Sequence, residues 1–340
     1  MKILTAKIQP LNDLENPIIP KQKLFWKSSL AAALLWGSGN FALSLIKNKD
    51  FAVSCLVWTG FVITSLIFQL CQFAIAKKNK VQISLFGKFF EQLYHRQKLC
   101  HTILRSINYF LVIWLTILIA EICETSHVNF GLIICVFSSS IVFQVIIFRL
   151  KFQEKLSKLK IAGILIIITG VIFITLSSQG NQTYEDFSEN FKSSGDKKII
   201  ILAIGIALII AALNCIRVVQ AKYIDQYLDY PPIQFSLDGA LICGGFQAII
   251  SIYYVIEGHP NYSGFNYLIC FIAGALLQGQ SLLSLHAAVK GLAAPCSAIV
   301  NTHSIVSTIL IALFTGIIPS IYQIIGFVIT LLGVLSAILG

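Results

Sequence analysis

The chain has 340 residues, 56% of them hydrophobic and 12% charged, with a formal net charge of +10 and a mean hydropathy of +0.82. That composition lies outside the range of soluble globular domains, so it excludes a soluble enzyme or a soluble binding module. The nine cysteines form no CxxC pair, so neither a disulfide framework nor a cysteine metal site is implied.

A spanning helix needs about 20 apolar residues. Ten such runs follow one another, at 24–46, 52–76, 100–123, 128–149, 159–177, 198–219, 236–256, 264–288, 292–314 and 317–339. The expected fold is therefore an all-α integral membrane protein with ten transmembrane helices. Residues 1–23 are polar, contain prolines and lack the apolar core of a signal peptide, so they read as a cytoplasmic tail. With that tail inside, twenty of the twenty-five Lys and Arg fall on the cytoplasmic side; Lys47, Lys49, Lys192, Lys197 and Lys198 fall outside. The positive-inside rule then places both termini in the cytoplasm. The positive charge is topological, which argues against nucleic acid as a partner.

Polar residues inside the apolar runs are the candidates for function. The first span carries Asn40 in "ALLWGSGNF". The inside stretch Lys77 to Arg105 alternates basic and aromatic residues and reads as an interfacial amphipathic helix on the anionic leaflet. At its end, Arg105 reads as a surface anchor. Glu121 and Glu124, near the outer end of the third span, suit an outer gate, a proton-titrating site or a solvated rim. The fourth span has Ser138, Ser139 and Ser140 near its middle.

Residues 178–197 form the longest and most polar outside loop, and carry the sequon at Asn181. This linker divides the chain into a first repeat, 24–177, and a second, 198–340. Asn214 and Arg217 follow in the sixth span, one turn apart. A second sequon at Asn261 lies in the next outside loop. Both sequons fall on the side where glycosylation is usable, which points to a glycoprotein of the endomembrane system or plasma membrane. In the eighth span Gln280 and Ser284 share a face, while Lys290 at its cytoplasmic end is either a snorkelling anchor or a cation at a cavity mouth. In the ninth, Ser297, Asn301, Ser304 and Thr308 lie on one stripe of a continuous helix with His303 on the adjoining edge. That stripe either ties helices together or lines a polar cavity.

The two halves are also alike. Gly163 and Gly170 of the fifth span match Gly326 and Gly333 of the tenth at equal spacing, and Asn40 aligns with Asn214. Ser138 to Ser140 lie opposite Thr302, His303 and Ser304. Five spans per half would set the repeats upside down relative to one another.

"ALLWGSGNF", the stretch "FQEKLSKLKIAGILIIITGV" from Phe152, and the sequence from Ala287 to Val334 together resemble the drug/metabolite transporter superfamily. Its members are ten-helix proteins of two EamA-type five-helix repeats; the layout is similar to solute carrier family 35. The resemblance implies alternating access through a central cavity. Two departures stand out: Ile317 sits roughly where a counterpart of Glu154 is expected, and His303 stands where the family often has proline. The embedded Glu of the small multidrug-efflux relatives has no counterpart, which argues against proton-coupled drug efflux.

The expected function is secondary transport of a small polar or anionic organic solute of the metabolite or nucleotide-sugar type. Its binding residues would be Asn40, Ser138, Ser139, Asn214, Arg217, Gln280, Ser284, Lys290, Asn301, His303 and Ser304. The alternative is a non-transporting scaffold or receptor that keeps the fold. The chain has no phosphate-binding loop, HExxH motif or nucleophile elbow, so no enzyme activity, cofactor or metal is expected. The expected partners are the solute and the lipid bilayer, with a homodimer left open.

Overall fold

The structure is a computed structural model describing residues 24–47, 49–79, 94–125, 140–154, 156–176, 194–315 and 321–339, together with Ile134 and Phe137. The described secondary structure is helical throughout. In chain order the helices are α1 (Trp26–Ser44), α2 (Phe51–Lys78), α3 (Arg96–Thr125), α4 (Ser140–Lys151), α5 (Lys158–Leu176) and α6 (Ser194–Tyr227). Then come α7 (Pro232–Ile256), α8 (Gly264–Lys290), α9 (Ala293–Val300), α10 (His303–Thr315) and α11 (Ile321–Leu339). Runs of Leu, Ile, Ala and Phe become helices because an apolar solvent offers backbone amides no partner outside the segment.

Helix starts are written in the local sequence. Asp50 caps α2 by accepting from the Val53 N–H at 2.8 Å. Ser263 caps α8 through the Asn266 N–H at 3.3 Å, and α7 opens on Pro231 and Pro232, where no intrahelical N–H is lost.

Parts of α2, α3, α6, α7 and α8 are long and apolar enough to cross a membrane. Exposure follows the same logic. Ile67, Leu70, Phe246, Ile249, Leu313 and Leu331 are exposed, whereas Asn40, Arg105, Asn214, Arg217, Asp238 and Gln280 are buried. Apolar outside and polar inside is the arrangement of a body surrounded by lipid, and the protein is membrane-embedded.

The main packing pairs are α5 with α11, α1 with α8, α2 with α7 and α8, and α3 with α6 and α7; α1 also meets α10, and α4 meets α6. Small residues allow the closest of these. A Cβ at Gly333 would meet the Ile167 backbone nitrogen at 2.7 Å and the Gly163 carbonyl at 2.9 Å, so α5 and α11 touch backbone to backbone.

The continuous helix expected over 292–314 is two helices. Asn301 Nδ2 donates to the Ser297 carbonyl at 2.8 Å, and Thr302 Oγ1 donates to the Ile299 carbonyl at 2.8 Å. The Thr302 N–H turns to that same Ile299 carbonyl at 3.1 Å. Two polar side chains and a tight turn thus compete for carbonyls that would carry the α-helical ladder onward, and the ladder breaks between α9 and α10. Helix α6 is longer than expected, which places Lys222 within a helix instead of a loop.

Candidate functional site: a central cavity beside two buried arginines

A small cavity of about 30 Å³ lies where α1, α2, α3, α6 and α8 converge. Its polar wall is Asn40, Tyr109, Thr116, Asn214, Arg217 and Gln280; Trp36, Phe61, Phe137 and Leu277 supply apolar surface. Four of the expected binding residues, Asn40, Asn214, Arg217 and Gln280, are therefore brought together from three helices.

The charge beside this cavity is concentrated on α3 and α6. Arg105, expected at the membrane surface, is instead 0% exposed. Its Nη2 donates to the Tyr109 hydroxyl at 3.0 Å and its Nη1 to the Arg217 carbonyl at 3.3 Å. The Arg105 guanidinium lies 4.2 Å from the centre of the Tyr109 ring and that of Arg217 lies 5.6 Å from it, so one aromatic ring serves two cations. Among the described residues ion pairs join Glu154 with Lys222, Asp50 with His259, and Asp225 with Lys290, and neither arginine belongs to one of these. Among the described residues the Nε atoms of both arginines, both polar atoms of Asn214 and the Nδ2 of Asn40 are buried without a hydrogen-bond partner.

Burying a cation without an anion costs several kcal/mol even after relaxation, and unmet donors add to that. Arg217 on the cavity wall, Arg105 behind Tyr109 and the amide groups of Asn40 and Asn214 have the donor chemistry that recognises a negatively charged group. Tyr109 is held in place from the other side, since its hydroxyl bonds Ser236 Oγ at 2.8 Å and also meets Ser281 Oγ.

The other expected site residues divide between the neighbourhood of the cavity and the periphery. Ser284 accepts from Gln280 Nε2 at 3.2 Å, one turn from the cavity. His303, only 1% exposed, lies behind Trp36, with the two rings stacked at 4.0 Å and 9°. Among the described residues neither of its ring nitrogens has a hydrogen-bond partner. Asn301 is buried with its Oδ1 unmatched, and Ser304 is buried on α10. Lys290 is half exposed and bound to Asp225 at 2.7 Å, off the cavity wall. Ser138, Ser139 and Asn181 lie outside the described residues; Ser140 is buried at the start of α4. Glu121 is exposed on α3. The Asn261 side chain is buried, and its Nδ2 donates to Asp50 Oδ2 at 2.6 Å.

Three features went unread in the sequence. Tyr109 follows Arg105 by four residues, a spacing that sets both on one face of α3. Asp238 is an acidic residue within an apolar run, itself a signal of function. Glu154, noted only for its resemblance, is buried against Lys222 and accepts from the Ala293 N–H at the start of α9, at 3.3 and 3.2 Å. It thereby joins the α4–α5 connection, α6 and α9. Between α6 and α7, burial and the adjacent Asp238 push the Tyr230 phenol well above its ordinary range.

No family model matches the sequence, and no curated protein matches it. Solved structures do match: one crystal structure is similar with a TM-score of 0.62 at 14% sequence identity, over 92% of this chain and 97% of the other. At that identity the likeness shows a shared fold, which spans nearly the whole of both chains.

Proposed function

We propose that the protein is a secondary transporter of a small anionic organic solute, with ten spans in two inverted repeats and a binding site at the central cavity. The observation that carries this reading is the pair of buried arginines, Arg105 and Arg217, which among the described residues have no carboxylate partner, beside a cavity with the amide groups of Asn40 and Asn214 on its wall. The packing pattern supports the repeats. If α9 and α10 together are the ninth span and α11 the tenth, advancing each span number by five exchanges the pair α1–α8 with α6–α3. It likewise exchanges α1–α10 with α6–α4 and α2–α8 with α7–α3, and returns α2–α7 and α5–α11 to themselves. A two-fold axis in the membrane plane would produce these exchanges. The resemblance to the drug/metabolite transporters favours the same layout, and the break between α9 and α10 resembles the discontinuous helices of transporters.

A scaffold that keeps the fold would gain nothing from buried cations without an anion; a receptor would bind the anion without moving it, and uptake separates that reading from transport. The test is thermal unfolding of the purified protein with nucleotide sugars, sugar phosphates, dicarboxylates and neutral sugars, followed by uptake of any stabilising compound into proteoliposomes. An anion is expected to stabilise the wild type, because ligand at 100 times its Kd contributes about 2.7 kcal/mol. The effect should be absent in R217Q. Stabilisation by neutral sugars alone, unchanged in R217Q, would sink the anion reading.

A further inference from the structure

Asp238 of α7 is 0% exposed. Its carboxylate meets two neutral groups, the Tyr230 hydroxyl at 2.5 Å and Gln234 Nε2 at 2.6 Å. Among the described residues no ion pair includes Asp238. On α3, the Lys98 Nζ lies 5.7 Å from the centre of the Tyr230 ring. The Arg105 stem runs along Gly239, where a Cβ would meet its Cγ at 2.9 Å, and its guanidinium is bonded to Tyr109. On α6, Arg217 faces Tyr109 and Lys222 is paired with Glu154. On α8, His286 packs against Phe25 and Lys290 is paired with Asp225. The charged residues of α2 are Lys77 and Lys78, in its last turn.

A carboxylate buried without a cation is costly, and such groups relieve the cost by taking a proton. The Tyr230 hydroxyl suits both forms: it donates to the carboxylate and accepts from the carboxylic acid, so one short contact serves either state. We propose that Asp238 is a proton-binding site, and that its proton is taken up together with the anion held by Arg105 and Arg217. The second half rests on the anion reading of the cavity; the first stands without it. Ionised Asp238 places a negative charge on the α7 segment against which the Arg105 stem packs, and that charge disfavours a second anion in the neighbouring cavity. Protonation converts the carboxylate to a neutral acid and removes that repulsion. One proton entering with one negative charge of solute moves no net charge.

The test is infrared spectroscopy of the full-length protein in lipid nanodiscs, titrated over about pH 5 to 9. A carboxylic acid C=O band should appear on acidification, vanish in D238N and change frequency in Y230F, which retains Asp238 and decides the matter if D238N does not fold. Spectra that superpose for wild type and Y230F, with no band lost in D238N, would overturn the proton site. Sulfate is the anion probe. It should raise the protonated fraction of Asp238 in the wild type and leave R217Q unmoved, because coupling between two sites is reciprocal. An Asp238 band indifferent to sulfate would uphold the proton site and overturn its coupling to the anion.

Discussion

Glu154→Gln removes the negative charge from a pair in which both side chains are 1% exposed. The substitution keeps one oxygen to accept from the Ala293 N–H, so the start of α9 retains its cap in neutral form. What is lost is the partner of Lys222, whose Nζ lies 5.2 Å from the Phe148 ring and 5.6 Å from the Phe152 ring. Cation–π contact offsets part of an unpaired charge, about 0.5–2 kcal/mol. Breaking a buried pair on one side costs about 3–5 kcal/mol, and E154Q should lose stability on that scale. The double variant E154Q/K222M should recover most of it. A methionine chain is close in length to lysine and would lie against the stacked Phe148 and Phe152 rings, and replacing a buried pair by apolar groups is often neutral. The assay is denaturant unfolding of the purified protein, followed by intrinsic fluorescence, for wild type, both single variants and the double. Additive losses in the double variant, or an E154Q protein as stable as the wild type, would refute the claim that this pair holds α6, α9 and the α4–α5 connection together.

Other outcomes follow from the same contacts. His303→Phe keeps an aromatic ring against Trp36 and removes both nitrogens, so the variant should reach the membrane and unfold like the wild type while uptake of the anion found by screening falls; full uptake would reduce His303 to a packing residue. Gly333→Ala drives a Cβ into the α5 backbone and should cost about 1–3 kcal/mol, whereas Gly205→Ala, with nothing within 4 Å of the added carbon, should not destabilise; equal behaviour of the two in thermal unfolding would count against the close α5–α11 contact. The Asn261 amide is committed to Asp50, so that sequon should be unoccupied in the folded protein; a glycan found there by mass spectrometry would mean the bond to Asp50 is not made. Arg105→Gln should weaken anion binding by roughly 10- to 150-fold, the range of one charged hydrogen bond at 1.5–3 kcal/mol; unchanged affinity by calorimetry would remove Arg105 from the site.

Much of the site was legible because lipid makes polarity conspicuous. Asn40, Asn214, Arg217 and Gln280 could be picked from apolar runs one at a time, and all four line the cavity. Arg105 could not be placed in this way: an arginine near the end of a span usually snorkels to the surface, and only the approach of Tyr109, Phe235 and the Arg217 carbonyl decides otherwise. The ninth span was misread for a related reason. Helical periodicity assumes an unbroken ladder, whereas Asn301 and Thr302 spend their side chains on the carbonyls beneath them.

Composition and hydropathy by themselves determined that this chain is helical and lives in a bilayer, because twenty-residue apolar runs have few other ways to satisfy their backbones. Tertiary structure decided which polar residues meet. His303 and Lys290 looked like companions of Gln280, yet one stacks behind Trp36 and the other faces Asp225, while Arg105 and Asp238 came inside. The reason is that hydropathy reads each helix against its solvent, and the identity of a neighbour across 4 Å depends on crossing angles and close contacts that belong to pairs of helices.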